Sequence, residues 1–87
     1  MKCTLVGFKS VNFTDDDGNR VEGIKIYYSY PDITDEKLDG EVTESKFINR
    51  KALESFGMSA KDLHGVIGCI IDLDFNPNKK VVGISLK

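Results

Sequence analysis

One stretch with two unlike faces constrains the fold of this chain more than any other feature. Residues 23–31 alternate with a period of two, which is the pattern of a β-strand that covers a core on one side. The alternation divides the stretch into a core set, Ile24, Ile26, Tyr28 and Tyr30, and a surface set, Lys25, Tyr27 and Ser29. An aromatic ring beside a cation fits either an ordinary solvated face or a platform for a flat, negatively charged ligand.

Length and composition indicate one domain, residues 1–87, with a single small core. The hydrophobic fraction of 40% and the charged fraction of 30% are those of a soluble globular protein. No apolar run approaches the roughly 20 residues that span a bilayer, and no signal-peptide core follows Met1, so we expect a cytoplasmic protein. Cys3 and Cys69 lie in apolar runs, which predicts buried free thiols instead of a disulfide.

The net charge of −2 conceals an uneven distribution. Residues 14–44 carry ten acidic and three basic side chains, whereas residues 45–61 carry four basic and one acidic. Residues 75–87 add three basic side chains and no acidic one. The overall charge therefore neither requires nor excludes a nucleic-acid partner, and the folded arrangement of the basic groups decides.

The remaining alternation predicts a mainly β chain with hairpins at both ends. Residues 2–14 are apolar on both faces around Gly7, which predicts a first strand that bends or bulges there and serves two sheet surfaces. Asp17 and Gly18 predict a hairpin turn into the second strand, which ends at Tyr30. Later elements are a third strand over 41–48, a short helix capped by Asn49 and stopped by Gly57, and a second capped turn over 59–62.

The chain closes with two more predicted strands, residues 65–75 and 80–86, joined by a turn over 76–79. Alternation places Ile67, Cys69, Ile71, Leu73 and Phe75 on one face of the fourth strand, and Val82, Ile84 and Leu86 on one face of the fifth. Five strands with a helix between the third and fourth predict a Greek-key barrel of the OB type, and an SH3-like barrel is the main alternative.

Catalytic and metal-binding motifs are not supported. If Gly18 were the sixth residue of an EF-hand loop, Phe13 and Ile24 would stand where carboxylates are needed, so residues 15–17 are read as a plain hairpin turn. His64 is the only histidine, and with two cysteines it falls short of the four ligands of a zinc site. No phosphate-binding glycine loop is present. We therefore expect no enzyme activity, no cofactor and no metal.

The surface of the second and third strands remains as the candidate site. In OB barrels oligonucleotides lie across these strands and contact the loops that join strands one and two and strands four and five. On this geometry rings would stack on bases and cations would contact phosphates; the candidates are Phe8, Lys9, Lys25, Tyr27, Lys46, Phe47, Arg50, Lys51, Lys79 and Lys80. The alternative is that Phe8 and Phe47 belong to the core, that Tyr27 covers a neighbouring strand and that the lysines only solvate the surface.

The opening strand over 2–8, the hairpin from Asp17 and Gly18 into residues 23–27, and the closing hairpin from 70–76 to 81–84 together resemble a known family. They are similar to small OB-fold single-stranded DNA-binding proteins, namely the helix-destabilising proteins of filamentous phages and comparable proteins of bacterial mobile elements. The resemblance implies binding of single-stranded DNA, or of RNA, without sequence preference, a role in DNA replication, and a symmetric homodimer. A small protein-interaction or assembly subunit that does not bind nucleic acid is the alternative function.

Overall fold

The computed structural model describes residues 1–86, and its main feature is one antiparallel sheet of five strands. The strands are β1 (Lys2–Thr14), β2 (Arg20–Tyr30), β3 (Val42–Asn49), β4 (Ile70–Phe75) and β5 (Val81–Leu86), and two helices, α1 (Arg50–Ser55) and α2 (Ala60–His64), join β3 to β4. The strand order is β3-β2-β1-β4-β5. The prediction of a mainly β chain is confirmed. Within the described residues β3 pairs only with β2 and β5 only with β4, so the sheet has two edges.

Strand β1 holds the two halves of the sheet together. Its first residues pair with β4, and from Thr4 onward it pairs with β2. The register shifts between Leu5 and Gly7, which leaves Val6 as the extra residue of a bulge. The predicted bulge is therefore present one residue before Gly7. Because an extra residue reverses the alternation, Phe8 and not Gly7 follows Leu5 on the core side.

The core lies between the sheet and the two helices. Its buried members are Cys3, Leu5, Ile24, Ile26, Tyr28, Ile48, Leu53, Leu63, Ile71, Leu73, Val81 and Ile84. Each helix contributes one of these, Leu53 from α1 and Leu63 from α2. The core assignment of Ile24, Ile26 and Tyr28 is confirmed, while Tyr30 is half-buried and packs against the cluster.

Local side-chain hydrogen bonds fix where the helices begin. The Asn49 side chain accepts a hydrogen bond from the Ala52 backbone N–H at 2.7 Å, as the sequence predicted for a cap of α1. Ser59 and Asp62 form a reciprocal capping box at the start of α2. Gly57, with φ of +73°, lies just beyond α1 and ends it. These caps place Leu53 and Leu63 over the core.

Both hairpin turns are held by the same device, in which a side-chain oxygen accepts two backbone N–H groups. Asp15 Oδ1 accepts from Asp17 at 3.0 Å and from Asn19 at 2.8 Å. Asn76 Oδ1 accepts from Asn78 at 3.0 Å and from Lys80 at 2.9 Å. The first carboxylate of the acidic run therefore serves the turn itself, as expected for a structural hairpin.

Strand β4 begins at Ile70, five residues later than predicted. Residues 65–69 form turns, because Gly68 takes a φ of +85° and the segment bonds to β1. The Gly68 N–H donates to the Leu5 carbonyl at 2.7 Å, and the Leu5 N–H donates to the Cys69 carbonyl at 3.1 Å. Ile67 and Cys69 are consequently exposed, so their placement on a buried face was wrong.

A register shift also corrects the prediction for β5. Pairing slips between Asp74 and Phe75, so Val82 becomes an extra residue in β5. Val81 and Ile84 are buried, whereas Val82 is 50% exposed. The predicted grouping of Val82 with Ile84 on one face was therefore wrong.

The two thiols are expected to differ in reactivity. Cys3 is buried and burial is the main cause that raises its thiol pKa, whereas Cys69 is exposed. Because the thiolate is the reactive form, iodoacetamide should modify Cys69 in the folded protein and leave Cys3 unmodified until urea is added. Mass spectrometry of peptides after timed labelling checks this. Equal labelling of both thiols under native conditions would contradict the core position of Cys3.

No helix within residues 1–86 has the length and apolar character needed to cross a membrane.

Candidate nucleic-acid interface

The face of β1, β2 and β3 that points away from the core brings part of the predicted set together. Register places Lys9 opposite Lys25 and Lys25 opposite Phe47, with Gly7, Tyr27 and Ser45 in the neighbouring row. We call this surface the outer face; its residues are Gly7, Lys9, Val11, Phe13, Val21, Gly23, Lys25, Tyr27, Ser29, Thr43, Ser45 and Phe47.

The outer face carries two lysines, and none of its members is acidic. Lys9 and Lys25 are direct cross-strand neighbours, a spacing of about 5 Å between Cβ atoms at which like charges destabilise a sheet. An anion bound near both ammonium groups would relieve this repulsion. The turn that holds Asp15 begins beyond Phe13, which lies four residues from Lys9, about 14 Å along the strand. That distance exceeds the screening length of about 8 Å in physiological salt, so the charges of the acidic turn are largely screened from Lys9.

Aromatic rings lie beside these cations. The Lys25 Nζ is 5.7 Å from the centroid of the Tyr27 ring, within cation–π range. Towards the hairpin, Phe13 and Phe47 meet edge to face with their centroids 6.1 Å apart. Phe13 is 48% exposed and Phe47 is 37% exposed. The outer face therefore offers the Tyr27 ring on one side of Lys25, and on the other the contact between Phe13 and the Phe47 ring, which lies over Gly23.

Gly23 allows the Phe47 ring to adopt this position. A Cβ atom built at Gly23 would lie 2.8 Å from Phe47 Cζ, so the ring passes over the glycine backbone towards Phe13. This packing of an aromatic ring over a strand glycine stabilises a site where a side chain is missing. It also holds Phe47 close to the sheet while leaving more than a third of it exposed.

Phe8 does not belong to this face. It lies opposite Ile26, which is fully buried, and it packs against the core cluster. Its predicted position beside Lys25 and Tyr27 was wrong because the bulge at Val6 turns Phe8 inward. Phe8 is half-buried on the core side of β1, which is closer to the alternative of a core residue than to a place on the outer face.

Lys46 and Phe47 lie on opposite sides of β3. Lys46 is opposite Ile26 and therefore on the core side, at the edge of the sheet. There it lines a cleft of about 330 Å³ together with Tyr30, Phe75 and Lys79. Lys80 follows Lys79 in the β4–β5 turn and is exposed. Lys46 and Lys79 therefore share a cleft away from Lys25, and Lys80 is their neighbour in the turn.

Arg50 is held by carboxylates. Its guanidinium lies 3.2 Å from Glu54 Oε1 and 3.3 Å from Glu22 Oε2, and these two acids raise the pKa of Arg50, Glu54 more than Glu22. A phosphate would have to compete with both carboxylates for the guanidinium. Lys51 is exposed beside it on α1. The predicted cations are thus divided among three places, of which only the outer face combines cations with exposed rings and no carboxylate.

A cleft of about 430 Å³ separates the first hairpin from the helices. Its floor includes Ile24, Leu53 and Met58, and its charged groups are Arg50 and the two glutamates that pair with it. Within residues 1–86 no group of three His, Cys, Asp or Glu side chains could hold a metal ion.

Phe13 is the aromatic residue of the outer face that the sequence prediction did not include among the site residues. Read without a bulge, residue 13 falls in alternation with Cys3 and Leu5 and is assigned to the core. Counting residues outward from the turn at Gly18 pairs Phe13 with Val21. Val21 is two positions before Gly23, so this register places Phe13 on the same face as Gly23 and Lys25. Register counted from the hairpin is therefore the signal that identifies it.

The Tyr28 hydroxyl ties the core side of β2 to the edge strand. It donates a hydrogen bond to Glu44 Oε2 at 3.1 Å. Burial, followed by the hydrogen bond and charge of Glu44, raises the pKa of Tyr28 far above its usual value of 10. The neutral phenol is therefore favoured in the folded state.

This raised pKa predicts a pH-dependent effect of Tyr28→Phe. Since the folded-state pKa exceeds the unfolded value, the stabilisation is complete below about pH 10 and is lost as the pH rises through the folded-state pKa. At pH 7 the variant should be about 1 kcal/mol less stable, the usual net value of a hydrogen bond. The difference should shrink above pH 10. Urea unfolding at pH 7 and pH 11 measures both values, and a difference that stays constant would contradict the assignment.

Comparison with protein-family models, with curated proteins and with solved structures gave no match to this chain.

Proposed function

We propose that this protein binds single-stranded DNA through the outer face, without catalysing a reaction. The observation that carries the proposal is the combination on one surface of opposed Lys9 and Lys25, the Tyr27 ring beside Lys25, and the exposed Phe13–Phe47 pair. Positive charge with exposed rings and no carboxylate is the chemistry that single strands require.

The strand order supports an OB-type barrel as the framework of this site. OB folds are partly open five-stranded Greek-key barrels, and they bind oligonucleotides across strands two and three. The order β3-β2-β1-β4-β5 is that of such a barrel left open between its third and fifth strands. The outer face includes β2 and β3, the strands used in that mode of binding.

Bases would stack on the rings while the phosphates lie near the lysines. Each stacked base contributes about 1–3 kcal/mol, and stacking tolerates every base because each has a π-face. The polar side chains of β3 on this face are only Thr43 and Ser45, which offer little for reading base edges. We therefore expect weak sequence preference. In a duplex the base faces are covered, so a single strand is the preferred ligand.

The salt dependence of binding tests the role of the two lysines. Fluorescence anisotropy of labelled oligo(dT) should show binding at low salt, with log K falling linearly with log salt. The double variant Lys9→Gln with Lys25→Gln should reduce the slope by about 1.4, because each phosphate that a lysine neutralises on a single strand adds about 0.7. The matched control is Lys61→Gln on α2, which removes a charge from an exposed site away from the outer face.

Two results would count against the proposal. One is the absence of oligo(dT) binding at tens of micromolar protein in low salt. The other is a slope that falls by the same amount per charge removed in the Lys61→Gln control as in the double variant, which would mean that only net charge matters.

A small assembly subunit is the second candidate function. It is favoured by the two sheet edges, where Val82 and Leu86 on β5 are exposed apolar residues. It predicts association with protein and indifference to oligonucleotides, so sedimentation and the anisotropy titration together distinguish the two functions.

A further inference from the structure

β3 is an edge strand of the sheet, and its free side can pair with another β-strand. Its eight residues, Val42–Asn49, pair on one side with β2, and no other strand pairs with it within the described residues. Unpaired backbone N–H and C=O groups along such an edge are a template for another strand. On the core side of β3 stand Val42, Glu44, Lys46 and Ile48, in that order.

We propose that a second copy of this chain pairs with this edge, β3 to β3, antiparallel and about a two-fold axis at Ser45. With Ser45 opposite its own copy, Glu44 of each chain lies opposite Lys46 of the other. Val42 of each chain then lies opposite Ile48 of the other. Every core-side residue thus meets a complementary one, as cross-strand pairs of opposite charge and apolar pairs stabilise a sheet.

Neighbouring registers lack this complementarity. In a symmetric antiparallel pair, residues that lie opposite each other are on the same face of the sheet. The two-fold axis must therefore pass at a residue of β3 and not between two residues. A centre at Glu44 places the two glutamates opposite each other, and a centre at Lys46 does the same to the two lysines. Both arrangements oppose like charges, which is destabilising.

The other sheet edge is a poorer partner for β3. Strand β5, Val81–Leu86, contains no charged residue, so it would leave Glu44 and Lys46 without opposite charges. Lys46 is half-buried, and among the ion pairs of residues 1–86 it takes part in none. Glu44 of the same chain lines the same cleft as Lys46, and a second β3 would add a carboxylate directly opposite Lys46. The inference stands independently of the proposed DNA binding, although it would place the two outer faces side by side in one ten-stranded sheet.

Charge exchange between positions 44 and 46 tests the register. Wild-type protein without DNA should sediment as a monomer–dimer equilibrium between tens and hundreds of micromolar. Glu44→Lys alone and Lys46→Glu alone should each weaken dimerisation at least tenfold, because each places like charges opposite twice in the symmetric pair. A mixture of the two single variants should form a heterodimer, since a chain with two lysines at these positions then meets a chain with two glutamates.

The double exchange E44K/K46E provides the rescue and should dimerise about as well as the wild type. Thermal melting of each variant shows whether removal of the bond from Tyr28 to Glu44 has unfolded the chain, and the heterodimer cannot form from unfolded partners. A wild type that stays monomeric throughout this range, or a mixture that fails to associate although both variants are folded, would overturn the proposal. The oligo(dT) titration uses other residues, so failure of this pairing is distinguishable from failure of DNA binding.

Discussion

Replacing Gly23 with alanine is expected to lower the free energy of unfolding by about 3 kcal/mol. The added Cβ would lie against the Ile48 carbonyl oxygen, 2.8 Å from the Asn49 Cα and 2.8 Å from Phe47 Cζ. Two of these atoms belong to the backbone of β3, which cannot withdraw without lengthening its ladder to β2. Urea unfolding followed by far-UV circular dichroism measures the change.

Gly7→Ala is the matched control for this substitution. It adds the same methyl group to the same side of the sheet, but no heavy atom lies within 4 Å of the position that its Cβ would take. We expect a change within about 0.5 kcal/mol of the wild type. If both alanines destabilise the protein by similar amounts, the cause is the loss of glycine at a strand position and not the contact of the added Cβ with β3 and Phe47.

Tyr27→Ala is expected to weaken oligo(dT) binding by about 5-fold to 150-fold, which corresponds to the 1–3 kcal/mol of one stacked base. Tyr27 lies on the outer face, so its ring can be removed without opening the core. The same change also removes the ring that faces the Lys25 ammonium at 5.7 Å. Anisotropy titration at one fixed low salt concentration measures the affinity.

The conservative variant Tyr27→Phe separates stacking from hydrogen bonding by the hydroxyl. It retains the ring and should bind within about threefold of the wild type, since stacking depends on the aromatic face. Equal and large decreases in affinity for Tyr27→Ala and Tyr27→Phe would assign the effect to the hydroxyl. Unchanged binding by a folded Tyr27→Ala protein would remove the ring from the site.

Elements with strong local signals could be predicted from the sequence. The period-two alternation of residues 23–30 located β2 and its core side, and the turn residues around Gly18 located the first hairpin. Asn49 and Gly57 marked the two ends of α1 because capping depends on residues only a few positions apart. In each case the deciding interactions join residues that are close in sequence, so the sequence pattern alone predicts the element.

The errors arise where register depends on a distant partner. The extra residues at Val6 and Val82 are set by how β1 and β5 fit their neighbours, which alternation within one strand does not show. The first of these bulges turned Phe8 towards the core, and the second turned Val82 away from it. The turn at Gly68 depends on hydrogen bonds to Leu5, more than sixty residues earlier.

The candidate site was predictable in part for the same reason. Lys25 and Tyr27 share a face by alternation alone, and the hairpin register adds Lys9. Lys46 and Phe47 are adjacent in sequence, so they necessarily face opposite sides of β3. The capture of Arg50 by Glu22 crosses from α1 to β2, and only the folded arrangement reveals it.

The most direct test of DNA binding through the outer face is an NMR titration of the ¹⁵N-labelled protein with oligo(dT) at low salt. We predict that the largest amide shift changes fall on the outer face, at and around Lys9, Lys25, Tyr27 and Phe47. Amides of α2 and of the cleft that contains Lys46 and Lys79 should change little. Saturable changes confined to those other surfaces, or no changes at all, would contradict the proposed site.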